Sequence, residues 1–227
     1  QANLFTEYIP TPEHAEMMIY PRVLALAEVA WSAPSKKNYE DFHVRALKAV
    51  EELKKSGYNP FELKNEIGNR PGADKPVEHL AVGKKVTYGL DAAYYPGYAA
   101  GGDTALVDGV RGGWTYGDKR WQGFIDKKRM DITIDLEKET ELHFIGADFM
   151  QVCGPEVFMP AEVIISISDD GKDFTELKHI EHKVVKDDKV TFTNFGWEGN
   201  AKGRYVRYQA TSGKFGGFLF TDEVVIK

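Results

Sequence analysis

The sequence predicts a mainly β protein, an antiparallel β-sandwich or jelly roll preceded by a short helical segment. Three observations carry this prediction. Helical periodicity is confined to residues 1–64. Beyond them, short segments with alternating, β-branched or aromatic character recur between turn signals. The composition pairs 22 Gly with 13 Phe, 11 Tyr and 4 Trp, which suits short strands and loops better than a helical bundle.

Taken in chain order, Asn3 to Ile9 reads as a strand, with Glu7 near its carboxyl end. Thr11 can cap the helix that follows, and Pro12 sits at its first position, where a missing N–H costs little. Apolar residues recur at Met17, Tyr20, Leu24, Ala27 and Trp31, a helical stripe that Pro21 should kink or interrupt. A second helix starts at Asn38, with Asp41 in its first turn and a stripe of Phe42, Ala46, Val50 and Leu53. Gly57 is its natural stop. The stretch "KNEIGNRPGADKP" has Gly, Pro and charge without periodicity, so residues 65–76 read as a linker to a second domain over 77–227. In that domain "MDITIDL", "AEVIISIS", "KVTFTNF", "GRYVRYQA" and "LFTDEVVIK" read as strands, and "SDDGKDF" as a hairpin turn. Several short strands over about 150 residues indicate a sandwich or jelly roll.

Charge and composition exclude several classes. The 227 residues carry a net charge of −6 with acids and bases interleaved, which argues against nucleic acid or an anionic membrane as partner. No apolar run approaches the roughly 20 residues needed to span a bilayer. The single cysteine, Cys153, excludes an internal disulfide and leaves the redox compartment open.

The segments "ALVDGVRGGWTYGDKRWQGF", "MDITIDLEKETELHFIGADFMQ", "PAEVIISISDDGKDFTEL", "GRYVRYQA" and "FTDEVVI", in that order, resemble a discoidin-type (factor V/VIII C-type) β-sandwich. This is the group with a galactose-binding-like jelly roll that includes the family 32 carbohydrate-binding modules. The resemblance covers residues 77–227. It implies a glycan partner of galactose or N-acetylhexosamine type. Sugars present C–H faces that aromatic rings stack on and hydroxyls that Arg, Asn or Asp bind. Trp114, Tyr116 and Arg120 lie in one glycine-rich loop and Phe215 in another, "GKFGGF". These four are the candidate sugar-binding residues, Arg120 as the hydroxyl donor. Trp121 leads directly into a strand and is expected in the core, while Trp114 and Tyr116 can stand either in the core or exposed. The same resemblance implies a structural calcium ion held by the turn carboxylate Asp108 and the final-strand Glu223, with Asp103 and Thr104 nearby. Val110 replaces the polar residue usual after Asp-Gly, and a capped turn with a surface carboxylate is the other reading.

Residues 1–61, from "QANLFTEYIPTPEHAEMMIYPRVLALAEVAWS" to "DFHVRALKAVEELKKSGYNPF", resemble the end of a family 20 glycoside hydrolase, the β-N-acetylhexosaminidases. That implies a helical remnant of a (β/α)8 barrel, whose active site lies at the carboxyl ends of the strands. In the family the strand reads "NLWTEY". Glu7 then matches a residue that accepts hydrogen bonds from the sugar, and Phe5 stands where a Trp walls the pocket. The family's reaction is substrate-assisted and uses an Asp-Glu pair from an earlier strand. Asp169-Asp170 and Asp187-Asp188 are hairpin or loop acids and no substitute. The chain alone is therefore expected to be inactive, a C-terminal fragment of a secreted or periplasmic enzyme whose missing barrel is its natural partner. The apolar stripes left by that barrel still need burial, so the helices are expected either to pair with each other and the sandwich or to pair between chains as a homo-oligomer. A stand-alone glycan-adhesion module and a purely structural sandwich are the competing readings.

Overall fold

Pro21 divides the first helical stripe in two. In a computed structural model describing all residues but 1, 7, 8, 10, 66–69, 71, 74, 90–92, 126–129 and 188, α1 spans Pro12–Ile19 and α2 Arg22–Trp31. Between them Tyr20 is extended, as the residue before a proline prefers. Thr11 caps α1 by accepting a bond from the His14 N–H at 3.2 Å. Asn38 caps α3 (Tyr39–Lys55) by accepting from Asp41 N at 2.9 Å, and Gly57 ends it at φ +86°, a left-handed conformation that a Cβ disfavours. The chain separates into two compact units, 1–66 and 67–227. Within the first, Ala46, Val50 and Leu63 form a small core with Phe42 and Leu47. Arg45 ties α3 to α2 by two bonds to Glu28, at 2.8 and 3.1 Å. The segment after α3 returns to α1, where Asn59 N donates to Glu16 Oε2 at 2.8 Å.

The strand expected at Asn3–Ile9 is not formed in its described part: residues 2–6 have no strand structure, and Ile9 N closes a turn onto Thr6 O at 3.1 Å. A strand exists through its ladder, and among the described residues of this unit no neighbouring strand supplies one. Phe5 is 79% exposed. Glu7 lies outside the described residues, as do Asp188 and half of the expected linker. Of the linker residues that are described, Arg70 and Ala73 are buried in the second unit, so this stretch is part of the sandwich rather than a tether.

The second unit is a seven-stranded antiparallel β-sandwich. Its strands are β1 (Lys85–Tyr88), β2 (Gln122–Ile125), β3 (Met130–Gln151), β4 (Pro160–Ser168), β5 (Thr175–Glu181), β6 (Thr191–Ser212) and β7 (Phe218–Ile226). β3 and β6 run through both layers. They pair along their length with a register shift between Asp135 and Thr140, where Glu137 takes φ +71° and the strand bends. The first half of β3 lies between β1 and the second half of β6, and β4 and β5 extend that layer. The second half lies between the first half of β6 and β7, with β2 on the β7 edge. Side chains from both layers meet in one core that includes Ile132, Ile134, Ile145, Phe149, Val163 and Tyr208. The Phe149 and Tyr208 rings stack across it, 6.4 Å apart. Among the described residues no helix is long and apolar enough to cross a membrane.

Candidate functional site

Two loops flank the β2–β7 edge of the sandwich. One, residues 94–103, carries the sequence "YYPGYAAGGD"; the other, residues 111–121, carries "RGGWTYGDKRW". The second loop is built around Trp121, which is fully buried and donates its indole N–H to Gly113 O at 3.1 Å. Gly112 is obligatory there, since a Cβ would stand 2.1 Å from the indole nitrogen. Asp118 holds the loop's far end by accepting from Gly113 N at 2.7 Å and from Arg120 N at 2.9 Å.

Beneath this loop is a buried ionic cluster that sequence patterning does not reveal. Arg70 lies 4.8 Å over the Trp121 ring and 4.9 Å over Phe192. It pairs with Asp222 at 2.5 Å and with Asp148 at 3.2 Å, and Asp148 also pairs with Arg111. Asp222 further accepts from Gly112 N at 2.9 Å. Burial pushes the Asp222 carboxyl up to about 7, against the pull of Arg70. The cluster fixes the entry of the 111–121 loop to the final strand.

The structure disperses the expected sugar-binding residues. Tyr116 stacks on Phe220 at 4.8 Å and meets Tyr98 edge-on at 5.6 Å; burial raises its phenol pKa. Trp114 packs edge-on against Phe192 at 5.2 Å, with its indole N–H buried and without a hydrogen-bond partner. Phe215 lies against Phe158 at 5.4 Å, with Lys186 and Lys214 over its ring. Arg120 is exposed. Of these four, Tyr116 alone lines the cavity of about 350 Å³ that opens between the two loops. Tyr98, Pro96 and Lys119 line it with Tyr116, and Trp121 contributes to its wall. Sequence reasoning passed over the 94–103 loop. Its three tyrosines set among a proline and three glycines were the signal, because rigid rings on a close-approaching backbone make adaptable contact surfaces.

Glu223 is buried in β7. Its Oε1 faces His79 Nε2 at 2.6 Å and accepts from Gly109 N at 3.0 Å, while its Oε2 is buried without a partner. Burial raises its pKa, and the nearby charge of Asp108 adds to the rise. Asp108 is exposed and caps its own turn by accepting from Val110 N at 2.8 Å. Asp103 accepts from the Tyr94 hydroxyl at 2.8 Å. Among the described residues no group of three His, Cys, Asp or Glu side chains is placed to hold a metal ion.

The family model for the F5/8 type C domain matches residues 91–224. That for the catalytic domain of glycosyl hydrolase family 20 matches residues 1–34. A beta-hexosaminidase from Porphyromonas gingivalis is 42% identical over 59 residues, which are 26% of this chain and 8% of that protein. Among solved structures, CBM32-3 from a family 31 glycoside hydrolase of Clostridium perfringens is 16% identical with a TM-score of 0.44, covering 69% of this chain and 97% of its own. A Streptococcus pneumoniae fucose binding module is 18% identical with a TM-score of 0.45, covering 66% and 98%.

Proposed function

Since the chain belongs to the F5/8 type C domain family, we propose that its sandwich is a glycan-binding module, and that residues 1–61 are the closing part of a β-N-acetylhexosaminidase barrel. The observation that carries the first half is the cavity of about 350 Å³ walled by Tyr98 and Tyr116. That size is within the range of small-ligand sites, and ring walls suit the C–H face of a hexopyranose. The second half is supported by the family 20 match over residues 1–34. A single stacking site with few hydrogen bonds supports only weak affinity, on the order of millimolar, about −4 kcal/mol. Titration with galactose, N-acetylglucosamine and N-acetylgalactosamine, followed by NMR shifts, tests the proposal. Saturation that is lost in Tyr98→Ala and Tyr116→Ala, and kept in Phe215→Ala, is expected. No response up to tens of millimolar would leave the sandwich a structural role alone.

We further propose that Asp108 and Glu223 share a structural calcium ion. The buried Glu223 Oε2 without a partner, close to a second carboxylate, supports this reading: a hard cation satisfies such oxygens. Calcium at about 100 times its dissociation constant should add roughly 2.7 kcal/mol, read as a higher melting temperature than in EDTA. Coincident melting curves with and without calcium would leave the capped turn as the whole account.

A further inference from the structure

The charge of the cavity narrows the ligand. Among the described residues its lining contains no carboxylate and no carboxamide, and Lys119 is the charged residue in it. The phenols of Tyr98 and Tyr116 can each donate to or accept from a sugar hydroxyl, whereas the Lys119 ammonium only donates and gains most from an anionic partner. Lys119 and Arg120 are both exposed, and among the described residues neither forms an ion pair. The acids nearest in the two loops are already engaged. Asp118 accepts from two backbone N–H groups, and Asp103 accepts from Tyr94. Lys119 also sits at φ +66°, left-handed for a residue with a Cβ, where the 3₁₀ turn Tyr116–Asp118 ends. Such a conformation costs a residue with a side chain free energy, and strained positions of this kind concentrate at ligand sites. Thr115 supports the turn by accepting from Gly117 N at 3.1 Å.

We propose that the sugar bound in the cavity that Tyr98 and Tyr116 line is an acidic hexose, its carboxylate or sulfate paired with Lys119 while its C–H face lies against the ring surface open to the cavity. This rests on reading the cavity as a sugar site and adds the class of sugar. A carboxylate or sulfate on the sixth carbon projects from the ring edge, so one pyranose can stack and pair at once. Lys119 matches it as a mobile point charge rather than a fork, which suits either anion.

Methyl galactoside and methyl galacturonide differ only at the sixth carbon and serve as the probes, with galactose 6-sulfate as the sulfate arm. The acidic sugars are expected to bind up to about fivefold more tightly than methyl galactoside at low salt. Added salt should shrink that ratio. Lys119→Gln should bring it close to one while stacking-dependent binding of methyl galactoside persists, and Lys119→Arg should restore it. The galacturonide and sulfate arms decide which anion is preferred. Equal affinity for neutral and acidic sugars, or a preference that survives Lys119→Gln, would overturn the inference and leave the glycan-binding reading standing. Failure of every sugar to bind the folded chain would remove both.

Discussion

Asp222 is where the sandwich meets its candidate site, and its protonation should be visible in stability. The carboxyl is fully buried and pushed up to about 7, chiefly by burial. In the unfolded chain it would titrate near the usual aspartate value of about 3.9. The folded state therefore holds a proton that the unfolded chain has released between those values. The stability this group contributes is complete below about pH 4 and is lost as pH climbs through about 7. Denaturation at pH 5, 6 and 7 should show Asp222→Asn with a pH dependence flatter than the parent's, by up to about 1.4 kcal/mol per unit. Identical slopes would mean that Arg70 keeps Asp222 ionised throughout. The amide oxygen in the variant can still accept from Gly112 N, but its NH2 faces the Glu223 N–H and Arg70 loses a carboxylate, so the comparison is of slopes with pH and not of absolute stability.

At the scale of elements, what was legible in the sequence was what short-range chemistry decides. The Thr11 and Asn38 caps, the break at Pro21 and the stop at Gly57 are local, and each is formed. The strands over "MDITIDL", "AEVIISIS" and "GRYVRYQA" follow from alternation and are present. Alternation could not show that segments on either side of Glu137 belong to one bent strand, because the bend depends on two layers meeting over a common core. It could not show that Arg70, in a stretch with no periodicity, is held by two rings and two carboxylates distant in sequence. The candidate site divides the same way. Burial of Trp121 was legible from the strand that follows it, whereas the separation of Phe215 from Tyr116 depends on which ring each loop packs against. The strand expected at Asn3–Ile9 is not formed in its described part for the complementary reason: its sequence is strand-like, but ladder bonds require neighbours. Helix α2 likewise leaves apolar side chains exposed. Its sequence "RVLALAEVAW" is apolar nearly throughout, yet Val29 is 56% and Trp31 93% exposed. A helix apolar on all sides is one that other elements cover.

For the whole molecule, the family 20 match and the family 20 chemistry have to be kept apart. The match covers residues 1–34, and the carboxylates in that stretch are Glu7, Glu13, Glu16 and Glu28. Glu16 accepts from Asn59 N, which fixes it between α1 and the segment after α3. Glu28 is paired with Arg45, whose bonds hold its carboxyl below the usual range, the reverse of what a general acid needs. Glu13 is on the first turn of α1, and the carboxylate three residues on, Glu16, is the one engaged by Asn59 N. Glycoside hydrolysis assisted by the substrate's acetamide needs one group to orient the acetamide and another to protonate the leaving oxygen. Neither role has an occupant among the described residues of this unit. The 227-residue chain should therefore release no chromophore from an aryl N-acetyl-β-glucosaminide above the uncatalysed rate. Turnover that persists through repurification, and that disappears in Glu7→Gln, would show that this unit retains a working site. Joined to an intact barrel, the same sandwich would act differently. Its millimolar grip would make capture of the glycan by the barrel intramolecular, at an effective concentration on the order of millimolar for a short linker. Deleting the sandwich from such an enzyme should accordingly raise KM on polymeric or surface-bound glycan and leave KM on a small aryl glycoside unchanged.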